Sequence, residues 1–174
     1  MQVAGIVEID GQEVEEFNLW CRPFPGDLLN KEALDLIGYT REQLAELPDP
    51  ADAFRELLDV LDRHIDRYSK KDKFFMIAYN ASFDADHLRA WFKKCGHEYF
   101  GAYFWTPPLC TMTLAGIALR QSREALPNFK LATVAEAMKI KTNGNHHDAL
   151  TDVRLNAEIW RRLLRVAEKK GILK

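Results

Sequence analysis

The stretch FFMIAYNASFDADHL, residues 74–88, passes from an unbroken apolar run to a helical pattern across a turn of two or three residues. FFMIAYN has strand length and no polar alternation, as a central strand covered on both faces requires. ASFDADHLRAWFKKCG follows as a helix, with Phe83, Leu88, Trp91 and Phe92 expected on its inner side. Lys93 and Lys94 suit its last turn and Gly96 its end. A buried strand leading directly into an amphipathic helix is the repeating unit of layered α/β folds. Ligands of such sheets bind beyond the carboxyl ends of the strands, which is where Asn80, Phe83 and Asp84 fall. Asp84 also shares a helical face with Leu88 and Trp91, so its carboxylate stands at the edge of an apolar stripe. Taken alone, it is better read as a first-turn acid complementing the helix dipole, with Ser82 as cap.

Upstream, Val3, Gly5, Val7 and Ile9 alternate with polar positions, and Asp10-Gly11 supplies a tight hairpin turn into EVEEFNLWC. CRPFPG reads as a loop and TREQLAEL as a short helix. Pro48 and Pro50 mark a break before an amphipathic helix carrying Ala53, Leu57, Leu58, Leu61 and Ile65. Downstream, YFGAYFW reads as an aromatic strand, CTMTLAGIALR as a covered helix and FKLATVAEAMKI as a short one. KTNGN is a loop, and from about Asp148 the positions Ala149, Val153, Ala157, Trp160, Leu164 and Ala167 keep helical period to the end. A hairpin followed by alternating helices and strands predicts a three-layer α/β domain with a central mixed sheet, one domain over residues 1–174.

The chain has 174 residues, 47% of them hydrophobic, enough for one filled core. No run reaches the roughly 18 apolar residues of a membrane span, and no basic-then-apolar leader opens the chain, so the sequence reads as a cytoplasmic protein without membrane partners. Cys21, Cys95 and Cys110 are odd in number and widely spaced, which suits reduced thiols better than a disulfide or zinc framework. A formal net charge of -2 excludes a general electrostatic pull on nucleic acid. Basic residues cluster locally at Lys70, Lys71 and Lys73, at Lys93 and Lys94, and along the last helix from Arg161 to Lys170. Such clusters are commonly solvated faces.

A second chemistry-bearing stretch is NHHDALTDVRLN. His147 stands at the mouth of the last helix and Asp152 lies inside it, about one and a half turns later. A loop-held histidine and a helix-held carboxylate can converge on one site. By themselves they are equally a polar loop residue and the partner of a solvent-side arginine, with Asp148 capping the helix.

Taken in order and at these intervals, FFMIAYNASFDADHL, CTMTLA, FKLATVAEAMKI and HHDALTDVRLNAEIW resemble the DnaQ-like family of 3′-to-5′ exonucleases, the DEDDh branch, with a ribonuclease H-like fold. The resemblance implies that His147 is the general base, that Asp152 is a metal ligand and that Asp84 serves a second metal, partly through water. It also implies that Asn80 and Phe83 shape the substrate site, and that two divalent ions, Mg²⁺ or Mn²⁺, act on the 3′ end of single-stranded DNA or RNA. Phosphodiester hydrolysis suits such a set. Paired ions about 3.5–4 Å apart stabilise the attacking and leaving oxygens, hard ions prefer carboxylate oxygens, and an imidazole of pKa about 6.5 can take a proton from water.

The family carries two further carboxylates in a DxE motif on a strand ahead of the hairpin. MQVAGIVEIDG matches the strand after it, so the first strand is expected to be absent from this chain. Glu8 and Asp10 share a strand face but sit at the hairpin end, where Asp10 serves the turn. Without the DxE pair, metal binding is expected to be weak and activity very low. The open sheet edge invites a homodimer or a swapped strand. The other reading is an inactive exonuclease-like module that binds nucleic acid or assembles with partners.

Overall fold

The computed structural model describes residues 1–30, 34–35, 38–141, 148–169 and 171. Strands β1 (Gln2–Ile9) and β2 (Gln12–Trp20) form the expected antiparallel hairpin. Asp10 and Gly11 both take positive φ, +50° and +76°, the backbone of a tight turn whose twist matches that of the strands. Phe17 lies across Gly5 on the paired strand, so that any side chain at residue 5 would run into its ring. Helix α1 (Arg41–Ala45) opens on a reciprocal cap between Thr40 and Gln43. Helix α2 (Pro50–Asp62) starts with proline in its first turn and with Asp49 accepting the Ala51 N–H at 2.9 Å. Then come β3 (Ile77–Ala78), α3 (Ala81–Lys94), α4 (Phe100–Tyr103), β4 (Leu109–Cys110), α5 (Thr111–Ala118), α6 (Leu131–Ala137) and α7 (Ala149–Lys169).

Two helical layers enclose the strands. On one side, Phe54 and Leu57 of α2 and Trp91 and Phe92 of α3 pack with Leu19 and Cys21 of the hairpin end, and Phe74 and Met76 lean on the same cluster. Trp91 Nε1 donates to Pro50 O at 3.2 Å, tying α3 to the start of α2. On the other side, Ala115 of α5, Val134 and Ala135 of α6, and Leu155 and Ile159 of α7 form a second cluster, against which Tyr79 packs. Each large apolar side chain so buried contributes on the order of 1.5–3 kcal/mol.

The hairpin is also fastened by charge. Arg154 of α7 grips Glu16 at 2.6 and 2.8 Å. Arg161 bonds Glu8 at 2.6 Å and Glu13 at 2.7 Å. A bulge at Val7/Glu8 brings Glu13 opposite Glu8 and so onto the face that α7 covers. Glu15, on the opposite face, meets Arg63 and His64 beyond the end of α2. Glu8, Glu13, Glu15 and Glu16 are therefore ion-paired, and the half-buried Arg161 fastens the hairpin instead of joining a basic surface. Glu8 is engaged by Arg161 and Asp10 serves the turn.

The middle layer is an α/β sheet in two pieces. β1 pairs only with β2, and β3 pairs in parallel only with β4. Met1 and Cys21 exchange both backbone bonds, so Val3, Gly5 and Val7 also face β2, while Gln2, Ala4 and Ile6 turn their N–H and C=O groups away from it. Phe74 and Met76 spend theirs on Tyr103, Trp105 and Leu109, leaving those of Phe75, Ile77 and Tyr79 on the opposite edge. Among the described residues no strand pairs with either edge.

This division explains three departures from expectation. FFMIAYN is not a buried central strand: with one edge unpaired it shrinks to two half-buried residues, and Phe75 is 62% exposed. YFGAYFW is not a strand, because one helical turn at α4 directs Phe100, Tyr103 and Phe104 together into the first cluster. Phe83 is 58% exposed and does not share the inner face of α3 with Trp91 and Phe92. The three cysteines are free thiols, as expected.

Candidate active site

β3 and β4 are parallel neighbours, and each runs straight into a helix, so the N-termini of α3 and α5 emerge side by side at the carboxyl ends of the strands. Neither terminus has a side-chain cap. Asn80 occupies the cap position of α3 with φ -145° and ψ 61°, and only its carbonyl is engaged, by Phe83 N–H at 2.8 Å. The paired N-termini bring the positive ends of two helix dipoles together, a local attraction for an anion within a chain of net negative charge.

Cys110 lies between them. Desolvation acts to raise its thiol, but the Thr113 side chain and the N–H groups of Ala81, Thr113 and Met112 outweigh that, and the thiol sits below its ordinary pKa. Cys21 and Cys95 are shifted upward, both chiefly by burial. Next to Cys110, the Thr111 hydroxyl is fully buried without a partner among the described residues. The sequence reading passed over Cys110 because a lone cysteine carries no spacing signal; its place at the end of the second parallel strand was the available clue.

Asp84 sits in the first turn of α3, open to solvent yet crowded enough that desolvation raises its carboxyl above the ordinary value, against the opposing pull of its own backbone N–H and of His87. A carboxylate so placed is relieved by an approaching cation. Asn80 and Phe83 are exposed beside it. Phe83 continues into His87 one turn on, whose Nδ1 lies 2.8 Å from Phe83 O and whose ring centroid is 4.1 Å from that of Phe83.

Asp152 lies half-buried in the first turn of α7, its N–H bonded to Asp148 O at 3.1 Å. Asp148 caps that helix through Thr151 N at 3.0 Å, and Gln2 of β1 completes the cap: its Nε2 donates to Asp148 Oδ1 at 2.8 Å and its Oε1 accepts from Ala149 N at 3.2 Å. Those bonds, from Gln2 first and then Thr151, hold the Asp148 carboxyl below its usual range. One turn beyond Asp152, Asn156 Oδ1 is buried and unpartnered among the described residues. His147 lies outside the described residues.

Asp84 and Asp152 thus stand on helices of opposite layers, at the heads of α3 and α7. Among the described residues no three His, Cys, Asp or Glu side chains gather closely enough to hold a metal ion. Two carboxylates do not fit a pair of divalent ions that together demand many oxygen ligands.

A family profile described as exonuclease, RNase_T, matches residues 1–160. The chain belongs to this exonuclease family. The DnaQ-like resemblance and its α/β fold are borne out. A PolC-type DNA polymerase III from Thermotoga petrophila is 28% identical over 99% of this chain, which spans only 12% of that protein. The 3′-5′ DNA exonuclease Cap18 of Escherichia coli is 24% identical over 91% of this chain and 79% of its own length. A solved 3′-exonuclease, studied for 3′-end-specific recognition of a histone mRNA stem-loop, superposes with a TM-score of 0.67 at 16% identity, covering 89% of this chain and 66% of that one. Among the described residues, no helix of this exonuclease-family chain is long and apolar enough to cross a membrane.

Proposed function

We propose that this chain is a metal-dependent 3′-to-5′ exonuclease domain acting on single-stranded DNA or RNA 3′ ends, and that its described residues supply only part of the metal-binding set. The observation that carries this reading is the convergence of two helix N-termini and the Asp84 carboxyl at the carboxyl ends of β3 and β4. There the helix termini draw in the terminal phosphodiester, while Asn80 and the exposed Phe83 ring orient the last nucleotide. His147 takes the proton of the attacking water. The new bond joins water oxygen to phosphorus, the bond to the 3′ oxygen breaks, and a nucleoside 5′-monophosphate leaves. Asp84 and Asp152 contribute two of the carboxylates a divalent pair needs. A strand pairing with the open edges of β1 and β3 would complete the layer, whether it comes from another segment or from a second copy in a homodimer or swapped assembly.

The purified chain, given Mn²⁺ and a 5′-labelled single strand, is expected to shorten it slowly from the 3′ end. His147→Ala should lower the rate by roughly 10²–10⁴-fold. Unchanged degradation by that variant overturns the assignment of the base. A second reading, an inactive module that binds nucleic acid, is favoured by the divided sheet and the lack of a three-donor group among the described residues. Calorimetric titration separates the two: saturable Mn²⁺ binding that Asp84→Asn removes supports the nuclease, whereas retained strand binding with no Mn²⁺ binding supports the module.

A further inference from the structure

We infer that the surface built from the 66–73 loop, Phe75 and Trp105 is a second binding face for single-stranded nucleic acid, remote from the hydrolytic end of the fold. The inference rests on the exonuclease reading for its choice of ligand, and on this surface alone for its place. Phe75 stands at the opposite end of the β3 segment from Asn80, five residues or about 17 Å away at strand rise. It is 62% exposed, and its ring lies nearly parallel to that of Trp105, 28° between planes and 6.3 Å between centroids. The Lys73 ammonium stands 5.3 Å from the Trp105 centroid and also donates to Gly101 O. Tyr68, 82% exposed, is faced by the Arg67 guanidinium at 5.2 Å.

The charges of the loop are sorted. Its two acids turn into its own backbone, Asp72 Oδ2 accepting Asp66 N–H at 2.8 Å and Asp66 Oδ1 accepting Tyr68 N–H at 3.0 Å. Those bonds close the loop and leave Lys70 and Lys71 exposed, with no ion pair among the described residues. Lys70 and Lys71 thus lie unpaired, with Lys73 and an Arg67 that is bound to Asp62 at 3.1 Å, beside the exposed rings of Phe75 and Tyr68. A polyanion whose every unit carries a flat ring complements both features: phosphates meet the lysines and bases stack on Phe75, Trp105 and Tyr68. A protein partner would have equal use for the aromatics but none for the unpaired lysines, and in a two-fold contact between copies the same cationic rims would face and repel each other. The face would hold the strand upstream of the 3′ end and so favour long substrates over short ones.

The test is fluorescence anisotropy with the full chain in EDTA, using a labelled oligothymidylate of about 15 nucleotides and its uridylate counterpart at several salt concentrations. No turnover is needed, so a failure of the hydrolytic reading leaves the measurement intact. Lys70→Glu with Lys71→Glu is expected to weaken binding by roughly tenfold or more and to flatten the salt dependence by about one to two counterions. Phe75→Ala should weaken binding by roughly five- to a hundredfold while leaving thermal stability near that of the parent, because its ring is already exposed. Parent-like affinity and salt slope in both surface variants overturns the inference. So does a parent chain that binds neither oligonucleotide, or a change of oligomeric state in the Phe75→Ala variant, which would mark the patch as a contact between copies.

Discussion

β1–β2 and β3–β4 both lie between the two helical layers, yet one is eight or nine residues long per strand and the other two. Apolarity does not account for the difference, since FFMIAYN is far more apolar than QEVEEFNLW. Closure and anchoring do. The hairpin strands are joined by a two-residue turn and held by Arg154 and Arg161 on one face and by Arg63 and His64 on the other. β3 and β4 have two helices, α3 and α4, between them and, among the described residues, no ion pair to fix their register and one unpaired edge on β3. Strand length here follows the number of satisfied neighbours more than the propensity of the residues.

The sharpest way to break that comparison is amide hydrogen exchange. Val3 and Gly5, bonded to β2, should exchange roughly a hundredfold more slowly than Ala4, Ile6 and Ile77, whose N–H groups face the open edges. Equal rates in the two sets would mean that both edges are already paired and that the divided sheet is not the solution state. The next effect is smaller and confined to the hairpin. Gly5→Val drives a side chain into the Phe17 ring and should cost about 1–3 kcal/mol in denaturant unfolding. A neutral result would show that the hairpin is looser than its bonds imply.

The smallest effect is a pH slope. Hydrogen bonds from Arg63, then His64, lower the Glu15 carboxyl from 4.5 to about 2. A carboxyl depressed on folding stabilises the fold above its unfolded pKa, and that stabilisation fades as pH falls from about 4.5 toward about 2. Stability curves of the parent and of Glu15→Gln should therefore converge as pH is lowered through that window. Curves that stay parallel would remove Glu15 from the anchoring of the hairpin.

Much of this architecture was legible because it is local. The Asp10-Gly11 turn, the helices around Leu57 and Trp91, the period of α7 and the position of Asp84 at a strand end all follow from short-range pattern. What was not legible depends on partners distant in sequence. Phe75 and Phe83 look like core residues until the neighbours that would cover them are known, and Arg161 looks like surface charge until Glu8 and Glu13 are seen beneath it. One turn of helix inside YFGAYFW defeats its β propensity because three aromatic rings gain a common core by it. For the candidate site, the sequence supplied Asn80, Asp84 and Asp152 correctly as residues at the heads of elements. The anion-attracting pair of helix ends and the Cys110 thiol between them required the parallel pairing of β3 with β4.

The cap that Gln2 places on α7 also sets an order of assembly. Among the described residues, the anchors of the hairpin outside its own turn and the first helical layer run from Asp148 through Arg154 to Arg161, roughly 140–150 residues later in the chain. At a ribosomal pace of about 5–20 residues per second, the opening strands wait on the order of ten seconds for their fasteners. Until then Glu8, Glu13 and Glu16 repel one another across the nascent hairpin. Residues 2–16 settle against residues 148–161, so a chain cut short before Arg154 would release its hairpin.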